Sequence, residues 1–310
     1  DFSRYIDRLD GFFNNFNFIH EFDDDEFIYW IEVNSRKKNS KLVATPLKVN
    51  NELEENLYLN LDNLIFTSAT IAIGDSFKYF KESIGLPNDT LDKVIHSPFD
   101  YDNQMVVYLP KDMPNPSDKQ FMDEVGEFLK AQLVASKGKS FVLFTSYQAL
   151  NYVYYTVRDE LKKNGIDIFV QGMAPRSHMV DMYKNGQNPV LFGTDSFWEG
   201  VDIKGDQLSN VILVKLPFKV PSDPVTEAII ENIQAQGKNP FIEYQIPEAV
   251  IKFKQGIGRL VRSKTDKGTV TVLDNRVITK KYGKYFLDSV PTKNIKILSK
   301  SEILKDIMKG

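Results

Sequence analysis

The sequence predicts an α/β protein built on a mostly parallel sheet with helices on both faces. Two observations carry that prediction. From Gln104 onward, short apolar runs alternate with longer amphipathic stretches, which is the pattern of strands connected by crossover helices. Those runs are rich in Val, Ile, Leu and Phe with no polar alternation, so both faces of each strand are expected to be covered. The length of 310 residues, 42% hydrophobic and 12% aromatic, suits about two domains with packed cores.

Taken in order, residues 1 to 22 read as the end of an aromatic-rich helix with no closed core of its own. Strands are predicted over 27 to 33 and 41 to 47, separated by the basic turn Ser35-Arg36-Lys37-Lys38-Asn39. A helix near 50 to 60 leads to an apolar strand, Asn63-Leu64-Ile65-Phe66, which ends in Thr67-Ser68-Ala69-Thr70. A helical stretch follows around 76 to 84, and the polar segment 88 to 98 reads as a connection. Six strands are then predicted at 105 to 109, 140 to 144, 168 to 170, 190 to 192, 211 to 214 and 269 to 273, with helices at 118 to 135, 147 to 164 and 176 to 185. In such sheets ligands gather at the carboxyl ends of strands. Thr145-Ser146-Tyr147, Gly193 to Gly200 and Thr67 to Thr70 all fall there.

Composition excludes several classes. There is no cysteine, so disulfides, thiolate metal sites and cysteine-ligated clusters are ruled out for this chain, and a reducing cytoplasm is expected. His20, His96 and His178 are too scattered to suggest a metal site, and none is expected. The acidic run Asp23-Asp24-Asp25-Glu26 lacks the glycine and terminal glutamate of a calcium loop and reads as a solvated connection. No apolar run reaches membrane-spanning length, so no membrane partner is expected. The opening Asp-Phe-Ser-Arg-Tyr resembles neither a signal peptide nor a translation start, so the chain is read as a piece of a longer protein. Net charge is −3, but residues 1 to 62 carry 7 basic and 13 acidic groups, whereas residues 248 to 300 carry 13 basic and 4 acidic ones. The second stretch offers phosphates a basic surface.

The run Gln255-Gly256-Ile257-Gly258-Arg259-Leu260-Val261-Arg262 carries the most specific chemistry. Placed on a helix, Arg259 and Arg262 would share a face and could converge on the oxygens of a phosphoryl group, meeting the negative charge that develops during transfer. A second candidate is Gly193-Thr194-Asp195-Ser196-Phe197-Trp198-Glu199-Gly200-Val201-Asp202, where a strand enters a small-residue loop able to reach phosphate and two carboxylates flank a turn. Gly138-Lys139-Ser140 imitates part of a phosphate loop. Leu133 occupies the position where that loop needs its first glycine, and the tripeptide enters a strand instead of leaving one.

Four segments occur in a fixed order: Thr-Ser-Ala-Thr at 67 to 70, Leu-Phe-Thr-Ser-Tyr at 143 to 147, Trp-Glu-Gly-Val-Asp at 198 to 202 and Gln-x-x-Gly-Arg-x-x-Arg at 255 to 262. The set resembles motifs III to VI of superfamily-two helicases. With Lys215-Leu216-Pro217-Phe218-Lys219-Val220-Pro221 and Leu273-Asp274-Asn275-Arg276, it is similar to the DinG family of the XPD-like branch across about residues 42 to 290.

This resemblance implies two RecA-like motor domains, of which residues 1 to 25 would end an arch-like helical insertion, 26 to 99 return to the first motor domain, and 100 to 310 form the second. It implies an ATP-dependent DNA helicase that moves 5′ to 3′ on single-stranded DNA as a monomer, in DNA repair. Arg259 and Arg262 would be arginine fingers with Gln255 beside them. Glu199, Gly200, Asp202 and Gly258 would line the nucleotide cleft. Thr145, Ser146, Tyr147, Thr194 and Trp198 would face nucleic acid, and Ser68, Ala69 and Thr70 would couple nucleotide state between domains. ATP and magnesium are the implied cofactors. Their phosphate loop and acidic Asp-Glu pair are absent from this sequence, so they are expected on an upstream first motor domain of the same protein, and this fragment alone is expected to be inactive. Two other classes stay open: a nucleotide-sensing control module of a fused 3′ to 5′ exonuclease, and a nucleotide-sugar transferase on a similar sheet.

Overall fold

The computed structural model describes residues 2–34, 38–198 and 207–309. Its packing divides the chain into two compact units: residues 1–71, 76–92 and 219–245 form the first, and residues 72–75, 93–218 and 246–310 the second.

In the first unit, helix α1 (Phe2–Glu21) buries no residue. Strands β1 (Phe27–Asn34) and β2 (Asn39–Pro46) pair antiparallel, with Phe27 opposite Pro46 and Asn34 opposite Asn39. Aromatics tie α1 to this hairpin: the Phe18 ring stands edge-on to Phe27 at 4.8 Å, and Phe22 lies 5.1 Å from Tyr29. The predicted 50–60 helix divides into α2 (Asn50–Asn56) and a 3-10 turn, Tyr58–Asn60. After α3 (Lys78–Ser83), the buried Lys81 ammonium donates to the carbonyls of Asn88 and Thr90 and pairs with Asp92 at 2.6 Å. One cation thereby orders a polar segment with no regular structure.

The expected strand at 63–66 does not form. Among the described residues no neighbouring strand supplies it with a hydrogen-bond ladder, and Ile65 stands exposed. An extended apolar run without a partner has nothing to hold it as a strand.

The second unit opens with α4 (Tyr101–Gln104) and β3 (Met105–Pro110), followed by α5 (Phe121–Ala135), β4 (Ser140–Leu143), α6 (Tyr147–Lys163), β5 (Ile168–Val170), α7 (Arg176–Asn185), β6 (Val190–Gly193), the short α8 (Asp195–Trp198) and β7 (Asn210–Leu213). Helix α9 (Pro224–Ala235) belongs to the first unit. The chain then completes the second with α10 (Ile246–Ile257), β8 (Gly268–Val272), α11 (Arg276–Thr279), α12 (Gly283–Asp288), β9 (Ile295–Leu298) and α13 (Lys300–Ile307). All seven strands of this unit are parallel, in the order β5-β6-β4-β7-β8-β3-β9.

The side-chain alternation of β4 shows why both faces are covered. Val142, with Phe144 just beyond the strand, joins the cluster formed with α5, α6 and α13, where Leu150, Val153, Val157 and Leu161 recur at helical spacing. Phe141 points the other way, with its ring 5.0 Å from Tyr183 of α7. Strand β4 is therefore apolar on both sides, as its uninterrupted apolar run requires.

Gly138-Lys139-Ser140 is a turn feeding β4. Gly138 has φ of +69°, and a Cβ there would lie 2.0 Å from the Asn188 carbonyl oxygen. The Ser140 hydroxyl is buried and donates to the Gly138 carbonyl.

Candidate functional site

The predicted residues fall into groups carried by different loops of the seven-stranded sheet. At the carboxyl edge, β4, β6 and β5 are neighbours, so their following loops meet. Ser146 caps α6, its hydroxyl accepting from the Ala149 amide at 3.2 Å. Ser146 and Tyr147 are exposed, and Thr145 is half-buried. Tyr147 connects sideways: the Gln171 side-chain amide donates to its hydroxyl at 2.6 Å, and the Gln171 amide oxygen accepts from both the backbone amide and the hydroxyl of Thr194. Thr194 itself is buried. It supports the edge from behind and presents little surface.

Trp198 also departs from its expected place facing nucleic acid. Its ring is fully buried, and its indole N–H donates to the Phe144 carbonyl at 3.1 Å. A large aromatic on a short helix just past a strand lowers its free energy most by joining the core when its polar N–H finds an acceptor there. A Cβ on Gly256 would lie 2.9 Å from this ring, so the glycine lets α10 close onto the indole. Glu199, Gly200 and Asp202 lie outside the described residues.

The arginines lie in the connection that leaves α10 and feeds the amino end of β8. Helix α10 ends at Ile257, so Arg259 and Arg262 sit in the loop beyond it, not on one helical face. Gln255 stays in the last helical turn. The helix stops because Gly256 and Gly258 weaken it and because the chain turns to satisfy Asp266. This buried carboxylate accepts from the amides of Arg262 and Ser263, at 2.8 and 2.9 Å, and from the Ser263 hydroxyl at 2.6 Å. Burial pushes the Asp266 carboxyl up, but those hydrogen bonds and the Arg262 charge outweigh it and hold the group below its ordinary value. The Gln104 side-chain amide, just before β3, donates to the Ser263 and Asp266 carbonyls. Arg259 is buried and Arg262 half-buried. Two guanidinium groups on one braced loop are a donor set suited to phosphoryl oxygens.

A third group is local. The Thr70 amide donates to the Ser68 hydroxyl at 3.2 Å, closing a small turn that leaves Ser68 and Ala69 exposed. Lys254 of α10 donates to the Ala72 carbonyl at 2.7 Å. Burial lowers the Lys254 pKa against the opposing pull of Asp75.

Sequence reasoning missed three supporting residues. Gln171 follows a predicted strand but belongs to no quoted motif. Asp266 stands four residues beyond the arginine motif. Asp274, fully buried, accepts the Leu216 amide at 2.8 Å and pairs with Arg276 at 2.6 Å, joining the ends of β7 and β8. For Asp274 the Leu-Asp-Asn-Arg tetrapeptide was the available signal.

An all-parallel seven-stranded sheet covered by helices on both faces places this unit among the doubly wound α/β proteins. The model described as "Helicase C-terminal domain" matches residues 129–293, and the chain belongs to that family. Among curated relatives it is 40% identical over 265 residues to the "ATP-dependent DNA helicase YoaA" of Haemophilus influenzae, covering 86% of this chain and 40% of the relative. It is 38% identical over 269 residues to the "ATP-dependent DNA helicase DinG" of Photobacterium profundum, covering 84% and 39%. With the "3'-5' exonuclease DinG" of Bacillus subtilis it shares 36% identity over 290 residues, covering 91% and 31%. The chain thus spans well under half of these relatives. An XPD helicase structure superposes with a TM-score of 0.61 at 18% identity, covering 84% of this chain and 47% of that one, and the fold is RecA-like. The transferase alternative falls with this assignment.

Proposed function

We propose that the chain is the C-terminal motor portion of an ATP-dependent DNA helicase that moves 5′ to 3′ on single-stranded DNA. The observation that carries this reading is the loop holding Arg259 and Arg262, braced on the buried Asp266, together with a separate strand-end segment, Thr145, Ser146 and Tyr147, whose last two residues are exposed. In this reading the guanidinium groups reach the phosphates of a nucleotide held mainly by an upstream motor half, while the carboxyl edge holds the DNA backbone. Hydroxyls and amides there contact phosphates without reading sequence. Bound ATP supplies the free energy for movement when its terminal phosphoryl group is hydrolysed. Arg259 and Arg262 stabilise the charge that builds during that step, and Ser68, Ala69 and Thr70 relay the nucleotide state.

Magnesium and the phosphate loop are assigned to the upstream half. Among the described residues no group of three His, Cys, Asp or Glu side chains could hold a metal ion. Among them, too, no helix is long and apolar enough to cross a membrane. The same reading takes residues 1 to 25, 26 to 99 and 100 to 310 as the end of an insertion, a portion of the first motor and the second motor. The protein is read as a cytoplasmic monomer, and this fragment alone as inactive.

The test is strand displacement by the full-length protein on partial duplexes with either a 5′ or a 3′ single-stranded tail, with ATP and magnesium. Unwinding is expected only with the 5′ tail, and Arg259→Ala or Arg262→Ala should cut ATP turnover by roughly 10³-fold. Equal unwinding from both tails removes the polarity, and near-normal turnover in both variants removes the arginine role.

A second reading has its own support in the Bacillus subtilis relative, whose name describes an exonuclease. In that case the chain is a nucleotide-sensing module that regulates a fused nuclease. ATP-dependent change in nuclease rate without strand displacement on either tail would select it.

A further inference from the structure

We infer that Gln171 is a positioning residue of the nucleic-acid edge, fixing the Tyr147 hydroxyl as a donor toward a phosphate oxygen. The inference rests on the reading of Thr145, Ser146 and Tyr147 as the strand-contacting segment. It adds a residue outside all the ordered motifs.

The turn after β5 places the side chain. The Met173 amide donates to the Val170 carbonyl at 3.1 Å, and Gly172, third of the four residues, has φ of +101°. That left-handed conformation is the one a type II turn requires at this position, where glycine adopts it without strain. Gln171 precedes it, and its own amide donates to the Phe192 carbonyl of β6 at 2.9 Å. The backbone of Gln171 is therefore anchored to the middle strand of the three. From there its side chain spans the ends of β6 and β4.

Hydrogen-bond chemistry fixes which way the Gln171 amide faces. The Thr194 backbone N–H can only donate, so the atom accepting from it is the amide oxygen. The Thr194 hydroxyl donates to the same oxygen at 3.0 Å. The NH₂ group then faces Tyr147, and the phenol oxygen must accept from it, at 2.6 Å. A phenol that accepts here keeps its own proton to donate elsewhere. Accepting also polarises the O–H bond and strengthens that second hydrogen bond. Tyr147 is 52% exposed at the first turn of α6, where a phosphate can approach. Thr194 and Gln171 thus hold the phenol in the donor state and limit its rotation. The ordering is done before DNA arrives, so binding loses less side-chain entropy.

The chemistry separates three replacements. Tyr147→Phe removes the donor but leaves the ring. Gln171→Leu removes the amide that orients it. Gln171→Glu keeps the shape and can still accept from Thr194, but its carboxylate accepts from the phenol as well, consuming the proton a phosphate would use.

The experiment is a double-mutant cycle in the full-length protein. Fluorescence anisotropy with a labelled oligothymidylate strand gives Kd, and thermal melting checks that each variant is folded. Tyr147→Phe and Gln171→Leu should each weaken binding by about 3- to 10-fold, corresponding to one neutral hydrogen bond. The double variant should be no weaker than the weaker single one. Gln171→Glu should weaken binding at least as much, with its melting temperature unchanged. If Tyr147→Phe weakens binding while either Gln171 variant leaves Kd at the wild-type value, or the two effects multiply, the positioning role is wrong and the strand-contacting reading survives. If Tyr147→Phe, Tyr147→Ala and Ser146→Ala all bind as wild type, that underlying reading fails, and the inference with it.

Discussion

Asp266 shows how one carboxylate can shape a site it does not belong to. Three donors from Arg262 and Ser263 converge on it in a buried position, so the loop carrying Arg259 and Arg262 is folded around a negative charge. Because hydrogen bonds and Arg262 hold the folded pKa below the ordinary 3.8, the group stabilises the fold fully above that value. The contribution is lost as pH falls through the lower folded pKa. Asp266→Asn should cost about 1–3 kcal/mol at pH 7, with the gap to wild type narrowing below pH 3.8 in urea titrations. A gap that stays constant with pH would mean the charge is not what orders the loop. At this scale the sequence was only partly legible. The arginines announced themselves by spacing, but a helix was assumed beneath them, and nothing local revealed that an aspartate four residues further on would turn the chain out of it. Gln171 was illegible for the same reason: its partners stand 24 and 23 residues away.

Helix α10 and the segment around Trp198 are matched elements. Gly256 weakens the helix by about 1 kcal/mol relative to alanine, yet a Cβ there would press on the indole at 2.9 and 3.0 Å. The indole has no room to yield, being fully buried and bonded to the Phe144 carbonyl. Overpacking a core costs about 1–3 kcal/mol, which exceeds the propensity gain. Gly256→Ala should therefore lower the melting temperature despite being a better helix former, and a rise would mean that α10 slides freely away from the ring. Other elements were legible in proportion to how local their cause is. The runs Phe141 to Phe144 and Val190 to Phe192 are apolar enough to be strands in any covered parallel sheet. The run Leu64 to Phe66 is equally apolar, but a strand also needs a neighbour, and sequence pattern does not report neighbours. Strand β9 (Ile295–Leu298) was missed because Lys296 interrupts its apolar run. The lysine is accommodated by pairing with Asp306 at 2.6 Å and lying over the Tyr108 ring.

For the molecule as a whole, the proposed function makes charge the factor that would decide how it meets DNA. A net charge of −3 gives little long-range attraction, while residues 248 to 300 carry 13 basic against 4 acidic groups. Binding should then depend on a few close phosphate contacts rather than on a broad field. The exposed groups at the carboxyl edge, Ser146 and Tyr147, are the N-cap and first residue of α6, at the tip of a helix and not along a face shaped for a groove. Hydroxyl and ring contacts of that kind favour a flexible strand whose backbone and bases can both be reached. Binding by this chain is therefore expected to be weak, tolerant of sequence and selective for single strands. Each phosphate neutralised by a lysine or arginine should release counterions, lowering log affinity with log salt at a slope of about 0.7 per contact. Neutral donors such as Tyr147 should add affinity without adding slope. Anisotropy across a salt series, with a single strand and a matched duplex, separates the two contributions. Replacing Tyr147 with Phe should shift the single-strand line down without tilting it, whereas removing a phosphate-bound lysine should tilt it. Equal affinity for both DNA forms, or a line with no slope, would reduce the basic C-terminal third to a solubilising surface and place the DNA contacts elsewhere.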